Sequence, residues 1–260
     1  MKTKYFIVLL SAIFGLADCK TEEPPVKQDG YEAPAAPTTV NQNNLITVEF
    51  YSQMNEETLF KNQDYKAIVN HIEANKTPVA YLFDRSDALL GQTSPVVNMA
   101  WQSKLKSFFV QNQSGDAQIQ GTGLIVKPLI PVFEGIGVAD SLYLAGCTLA
   151  VPMDQPVVLT LMTCKLTAGF QFPLMAKSLG DGLKSNKIVV GTIKSELTDD
   201  MKIYLKHNLK DFRLSFYSSL QTGKTYKLFF LTPVAFVERG VSELTIGITP
   251  MYQCKIEYLN

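Results

Sequence analysis

The sequence predicts a mixed α/β fold in which two β-sheets pack together, a β-sandwich flanked by helices, and three observations carry that prediction. Residues 45–83 read strand, helix, strand, the order that favours parallel pairing through a right-handed crossover. The chain beyond residue 120 is dominated by short apolar runs of strand length, broken by turn residues. No internal repeat recurs at a fixed period, which sets aside solenoids and propellers.

The elements follow in order. Leu45–Tyr51 (LITVEFY) alternates and is β-branched, so it is a strand. Asn55–Asn75 carries Leu59, Ile68, Val69 and Ile72 near helical spacing and stops before the Thr77-Pro78 break. Pro78–Phe83 is a short buried strand. Val96–Gln111 (VVNMAWQSKLKSFFVQ) reads as a second amphipathic helix, closed by Ser114-Gly115-Asp116. Strands are expected at Gly123–Lys127, Ser141–Val151 and Val157–Thr167, the last two joined through Pro152–Pro156 as a hairpin. Helices are expected at Phe172–Leu183 and Asp200–Leu209. Further strands fall at Lys187–Gly191, Lys224–Leu231, Ala235–Glu238, Leu244–Ile248 and Met251–Leu259.

The N-terminus carries a targeting signal. Lys2 and Lys4 precede an apolar run from Tyr5 to Leu16, the pattern of a secretory signal peptide and too short for a membrane span. Leu16-Ala17-Asp18-Cys19 resembles a bacterial lipobox, in which Cys19 would be lipidated and become the first mature residue. Asp18 departs from the small residue usual there, and cleavage after Ala17 is the alternative. The charged stretch after Cys19 is similar to the surface-export tethers of Bacteroidetes lipoproteins. The expected organisation is signal peptide 1–18, disordered tether 19–44 and one domain over 45–260. The tether is rich in Pro, Glu, Thr and Asn, with too few apolar residues to offset chain entropy. The expected location is the cell envelope, anchored through the lipid at the outer membrane or surface, or else secreted.

Composition narrows the function classes. Lys+Arg and Asp+Glu both number 24, so no broad electrostatic footprint for nucleic acid is expected. Two histidines in 260 residues argue against a multi-histidine metal centre. His71 is expected at a surface or interface, and His207 near a helix C-terminus, where an imidazole suits the dipole. Cys147, Cys164 and Cys254 read as small buried hydrophobes, with a disulfide between two of them as the alternative. Gly180-Asp181-Gly182 lacks the spacing of a phosphate-binding loop and reads as a turn; Asp199-Asp200 reads as a helix start.

Within KIVVGTIKSEL (187–197), an apolar run stops at Gly191 and a polar stretch follows, as in a central strand that delivers side chains to a cleft. Its surroundings resemble the endonuclease/exonuclease/phosphatase superfamily over about residues 45–250. DYKAIVNHIEANKTPVAYLFD resembles that family's first helix and second strand, QGTGLIVKP its "GTAIL" strand, and VVLTLMTCKLT the strand carrying a histidine-leucine pair. NKIVVGTIKS resembles "VVGDFN", LKDFR and GKTYKLFFLTP resemble the "LxD" and "RIDYIF" segments, and Ser242-Glu243-Leu244 falls where the family has serine-aspartate-histidine. The resemblance implies a four-layer α/β/β/α sandwich and, for an active member, phosphoester hydrolysis assisted by a divalent metal such as Mg²⁺.

The same resemblance places the family's chemistry on unsuitable residues. The early asparagine falls near Ser52, the metal glutamate near Asp84, the first histidine at Lys165. The aspartate and asparagine fall at Thr192 and Lys194, a later aspartate at Lys227, and the closing pair at Glu243 and Leu244. A neutral hydroxyl at Thr192 is no general base at neutral pH. The expectation is therefore a domain with no catalytic residues and no cofactor, acting as a binding or interaction module. An active metal-dependent phosphodiesterase, nuclease or phosphatase, with Asp84 as metal ligand, is the alternative, and an unrelated β-rich adhesin-like domain a third. Lys165, Lys194 and Lys227 are candidate anion-binding residues, against the plainer reading that they pair with Asp84 and Glu243. Expected partners are a membrane, through the lipid, and an unidentified protein or anionic ligand; none is a nucleic acid.

Overall fold

The computed structural model describes residues 26–29, 37–52, 65–86, 88–89, 93–112, 118–127, 132–138, 142–180, 186–194, 198, 203, 207–208, 211–218, 226–247 and 249–259. Two sheets account for the strands among them. In the first, the order across the sheet is β1 (Val26–Asp29), β11 (Phe212–Ser218), β12 (Lys227–Pro233), β10 (Lys187–Ile193), β9 (Val157–Leu166), β8 (Leu142–Val151) and β7 (Val132–Val138). Only β9 and β10 pair in parallel there, and α3 (Gln171–Gly180) supplies the crossover between them. In the second sheet, β13 (Phe236–Ile246), β14 (Thr249–Tyr258), β2 (Leu45–Tyr51), β3 (Ala80–Phe83) and β6 (Gln118–Val126) are neighbours in that order. β6 also pairs with the two-residue β4 (Ala88–Leu89) and with β5 (Lys106–Asn112).

The strand–helix–strand opening is realised: β2 and β3 are parallel, joined through α1 (Lys66–Ala74). Residues alternate across each sheet, so every central strand serves two cores. Between the sheets, Val48, Phe50, Leu82 and Leu124 of the second sheet meet Leu159, Leu161, Ile188, Val190 and Phe230 of the first. Outside the first sheet, Phe172, Met175 and Leu179 of α3 cover Met162, Cys164, Val189 and Phe229. Outside the second, Ile68 and Ile72 of α1 and Val96 and Met99 of α2 (Pro95–Gln102) cover Tyr51, Tyr81, Phe83 and Ile125. The order is helix, sheet, sheet, helix: the predicted sandwich.

Several boundaries differ from expectation. The helix expected over Val96–Gln111 ends at Gln102; Lys104 adopts φ 55° and reverses the chain into β5. A lysine in the left-handed region gives no glycine to warn of the stop. The two strands expected at Ala235–Glu238 and Leu244–Ile248 are one strand, β13, kinked by a register shift between Glu238 and Gly240. β1 lies inside the segment expected to be a disordered tether. Its residues VKQD offer little to bury, but its backbone pairs with Ser215–Ser218 along the edge of β11. The Val151/Val157 hairpin forms as expected. Residues 1–25, most of Asn55–Tyr65, Asp181–Gly182 and Asp199–Asp200 lie outside the described residues, and so does most of the helix expected at Asp200–Leu209.

Candidate functional site

Parallel β2 and β3 end side by side, and the first residue after each is polar. Ser52 follows β2 and bonds through its amide to the Pro250 carbonyl at 3.3 Å; Asp84 follows β3 and bonds through its amide to the Tyr51 carbonyl at 3.4 Å. Across the sandwich, β10 presents Thr192 from the inner face, the same face as Ile188 and Val190. The three side chains meet. Asp84 Oδ2 accepts from Thr192 Oγ1 at 2.6 Å and from Ser52 Oγ at 3.2 Å. Ser52 is 1% exposed and the other two 0%, so this is a hydrogen-bonded buried carboxylate at the end of the apolar interior.

The surrounding positions follow from register. Lys165 lies directly beside Thr192 in the parallel β9–β10 pair and reaches over the Tyr226 ring, its Nζ 4.5 Å from the ring centroid. Lys194 sits just beyond β10 with its side chain in solvent, its amide held by the Leu166 carbonyl at 3.0 Å. Lys227 does not join them. Thr192 is paired with Leu228, so Lys227 falls on the opposite face with Phe229 and Leu231, and Tyr226 takes the inward place. The apolar alternation of LFFL is satisfied in either frame, and the one-residue slip it hides turns a side chain through the sheet.

Glu243 and Leu244 also divide between faces. Glu243 is fully buried and accepts from the hydroxyl of its cross-strand partner Tyr252 at 3.3 Å. Leu244 packs on the outside against the α1 and α2 core. Ser52, Asp84, Lys165 and Thr192 therefore stand together, Glu243 lies inward on β13, Lys194 is at the rim, and Lys227 and Leu244 face elsewhere.

Sequence reasoning missed two inward hydroxyls. The β3–β6 register ends with Phe83 opposite Gly123, so Thr122 is the next β6 residue toward the mouth, on the face of Leu124 and Val126, and Thr163 precedes Lys165 on the inner face of β9. Both side-chain oxygens are buried and make no hydrogen bond to the protein. The signal was present as parity: each lies two residues from an interior leucine.

A second polar knot lies outside this mouth. Glu49, fully buried on β2, accepts from Tyr51 OH at 2.9 Å, Asn75 Nδ2 at 2.6 Å and His71 Nε2 at 3.1 Å. His71 thus joins α1 to the sheet. His207 is exposed.

A divalent metal of the kind the fold's hydrolases use takes carboxylate oxygens backed by further acceptors. Here the mouth's Asp84 Oδ2 already accepts from two hydroxyl donors, and Lys165, beside Thr192, carries its charge over the Tyr226 ring. Among the described residues no three His, Cys, Asp or Glu side chains gather in one place. Among the described residues, no such donor set surrounds Asp84. Asp84 acts electrostatically instead: burial first and the Asp84 charge second push the Cys164 thiol well above its ordinary value.

No family model and no curated protein matches the chain. Solved structures do. TDP2 of D. rerio complexed with single strand DNA product superposes with TM-score 0.53 at 9% identity, over 82% of this chain and 99% of that one. AP endonuclease LMAP from Leishmania major gives 0.54 at 11%, over 88% and 93%. The endonuclease domain of TRAS1, a telomere-specific non-LTR retrotransposon, gives 0.51 at 10%, over 83% and 100%. At these identities the likeness is one of fold, and with the layer order and strand pairing above it settles the architecture: the chain has the α/β sandwich fold of the endonuclease/exonuclease/phosphatase superfamily.

Proposed function

We propose that this chain is a secreted, lipid-anchored domain that kept a phosphoesterase scaffold without its reaction and uses the mouth of the sandwich for binding. One observation carries the reading: Thr192 donates to Asp84. Hydrolysis in this fold needs a base or water-positioning group at the end of that strand, and a hydroxyl committed as donor to a buried carboxylate is too weak a base to take a proton from water. The neutral charge balance supports a ligand other than nucleic acid. Lys165, beside Thr192 in the strand pairing, and Lys194 at the rim are the cations we assign to a small anion.

The test is direct. Purified protein is assayed on a generic phosphodiester and a phosphomonoester with Mg²⁺ or Mn²⁺, beside Asp84→Ala. The expected result is no turnover above the Asp84→Ala background. Metal-dependent cleavage that disappears in Asp84→Ala would instead establish an active hydrolase. Binding at the mouth is read by a thermal-shift panel of phosphate and sulfate with Lys165→Met as control; unchanged melting across the panel removes the anion from the proposal.

A further inference from the structure

The two ends of the sandwich are unequal, and the N-terminal segment visits both. Just before β2, the chain is pinned at the end away from the mouth. Arg239 donates to the carbonyls of Pro37 and Thr39 at 2.6 and 3.2 Å and to Glu257, and Glu257 accepts from the Asn41 amide at 2.6 Å. Glu257 pairs with Leu45, the first residue of β2, whereas Ser52 of the mouth follows its last. Asn41 also donates to Asp154 in the β8–β9 hairpin, at the same end. A chain leaving the domain from Pro37 would leave opposite the mouth.

β1 reverses that exit. It runs antiparallel to β11 with Val26 opposite Ser218; Ser218 pairs with Lys227, Lys227 with Ile193 and Ile193 with Leu166. Val26 thus lies in the row next to Thr192, and Lys27 lies in the row of Thr192 itself. The lateral separation between β1 and β10 is three strand spacings, about 14 Å. Pro24 and Pro25 come immediately before Val26, and proline has no N–H to extend a ladder, which suits a strand's first edge. With β1 in place, the described fold begins at the mouth end, at Val26.

We infer that β1 is a clip that turns the mouth toward whatever surface the N-terminus is attached to, so that the mouth's ligand is presented by that surface. The inference rests on the anchored reading above for the identity of the surface, a membrane. Chain length separates the two arrangements. From Cys19 to Val26 the extended reach is about 24 Å; from Cys19 to Pro37, with β1 released, it is about 60 Å. Clipped, the mouth is held close to the membrane and faces it. Unclipped, the opposite end is nearer. The ligand class this selects is an anionic group borne on the membrane, within reach of Lys165 and Lys194, in preference to a solute arriving from bulk.

The clip and the anchor are tested separately. For the clip, the full chain with Cys19→Ser receives spin labels at Glu23→Cys paired with either Phe170→Cys, 62% exposed beyond the mouth end of β9, or Gln155→Cys, exposed at the opposite end. Cys147, Cys164 and Cys254 are buried and do not compete. The two ends lie roughly 30 Å apart along a ten-residue strand. The expected result is a distance from 23 to 170 distinctly shorter than from 23 to 155, and loss of that order in the Lys27→Pro/Gln28→Pro variant. Equal distances, or 155 the nearer, in the chain with β1 unsubstituted overturn the clip whatever the proline variant does. For the anchor, lipidated protein on vesicles is labelled at 170 or at 155 and read against a lipid-borne energy acceptor. Stronger transfer from 170 supports the membrane-facing mouth. A clip that is present on a chain with no acyl group at Cys19 overturns the membrane as the surface and leaves the clip standing.

Discussion

Thr192 and Asp84 are 108 positions apart in sequence and on different sheets, yet their side chains make a 2.6 Å hydrogen bond with both residues fully buried. The bond closes the end of the interior, where two strand termini would otherwise leave a carboxylate facing apolar surroundings. Thr192→Val keeps the shape and removes the donor. It should cost about 1–3 kcal/mol, the penalty for weakening the solvation of a buried charge, and Thr192→Ser should recover most of it. Urea unfolding midpoints measure both; equal stability of the valine and wild-type proteins would contradict the role assigned to this bond.

Gly191 is the neighbour that lets β10 lie flat against β9. A Cβ built there would stand 2.5 Å from the Cys164 carbonyl oxygen and 3.0 Å from the Phe229 ring. The carbonyl belongs to the paired strand and cannot step aside. Gly191→Ala is expected to destabilise by about 1–3 kcal/mol through overpacking, read as a drop in thermal midpoint.

The Glu49 knot fixes α1 to the second sheet through two donors, His71 and the helix-capping Asn75, with Tyr51 of β2 as the carboxylate's third. Asn75→Ala leaves a buried carboxylate one donor short and should cost about 1–3 kcal/mol. Amide exchange across residues 66–74 should quicken more than exchange in β10. Uniform acceleration through the protein would mean that Asn75 acts on global stability alone.

Alkali should unfold the domain early. Burial first, and the Glu49 charge second, raise the phenols of Tyr51 and Tyr81 above their ordinary 10.0. Burial first also raises Cys164 and Cys254 above 9.0, helped by Asp84 in one and by Glu238 and Glu49 in the other. The native state keeps these protons while the unfolded chain releases them. Their contribution is therefore whole below the unfolded values and is lost as pH climbs through about 9 for the thiols and 10 for the phenols. Urea midpoints at pH 8, 9.5 and 10.5 should fall in that order. A flat profile would contradict it.

The domain's three cysteines are buried thiols outside any disulfide. None should react with a thiol reagent in the native state at neutral pH, and all three should react after denaturation.

How much of this was legible in the sequence varies with what each residue had to signal. Ser52, Asp84 and Thr192 were placed by the family resemblance; the apolar runs before Ser52 and Asp84 also mark where β2 and β3 end, whereas Thr192 lies inside β10. Lys227 was misplaced because KLFFL offers apolar residues on both faces, so nothing in it fixes parity; only pairing with β10 does. The true length of α2 was hidden because Lys104, not a glycine, takes the left-handed turn. β1 was invisible because an edge strand of VKQD is held by backbone bonds, which composition does not report. Thr122 and Thr163 were missed because a threonine in a strand needs no explanation until its hydroxyl is found without a partner.

Arg239 holds Pro37 and Thr39 from a position 200 residues further along the chain. Under mechanical load this makes it a stop. Tension reaching Val26 from the N-terminal side would load the four ladder positions of β1 on the edge of β11. At Pro37 the load would reach the Arg239 guanidinium and, through it, Glu257, and so pass sideways into β13 and β14 before the start of β2. A domain held by its leading end can in this way give ground at its margin while the Ser52–Asp84–Thr192 junction, at the far end of β2, stays unloaded.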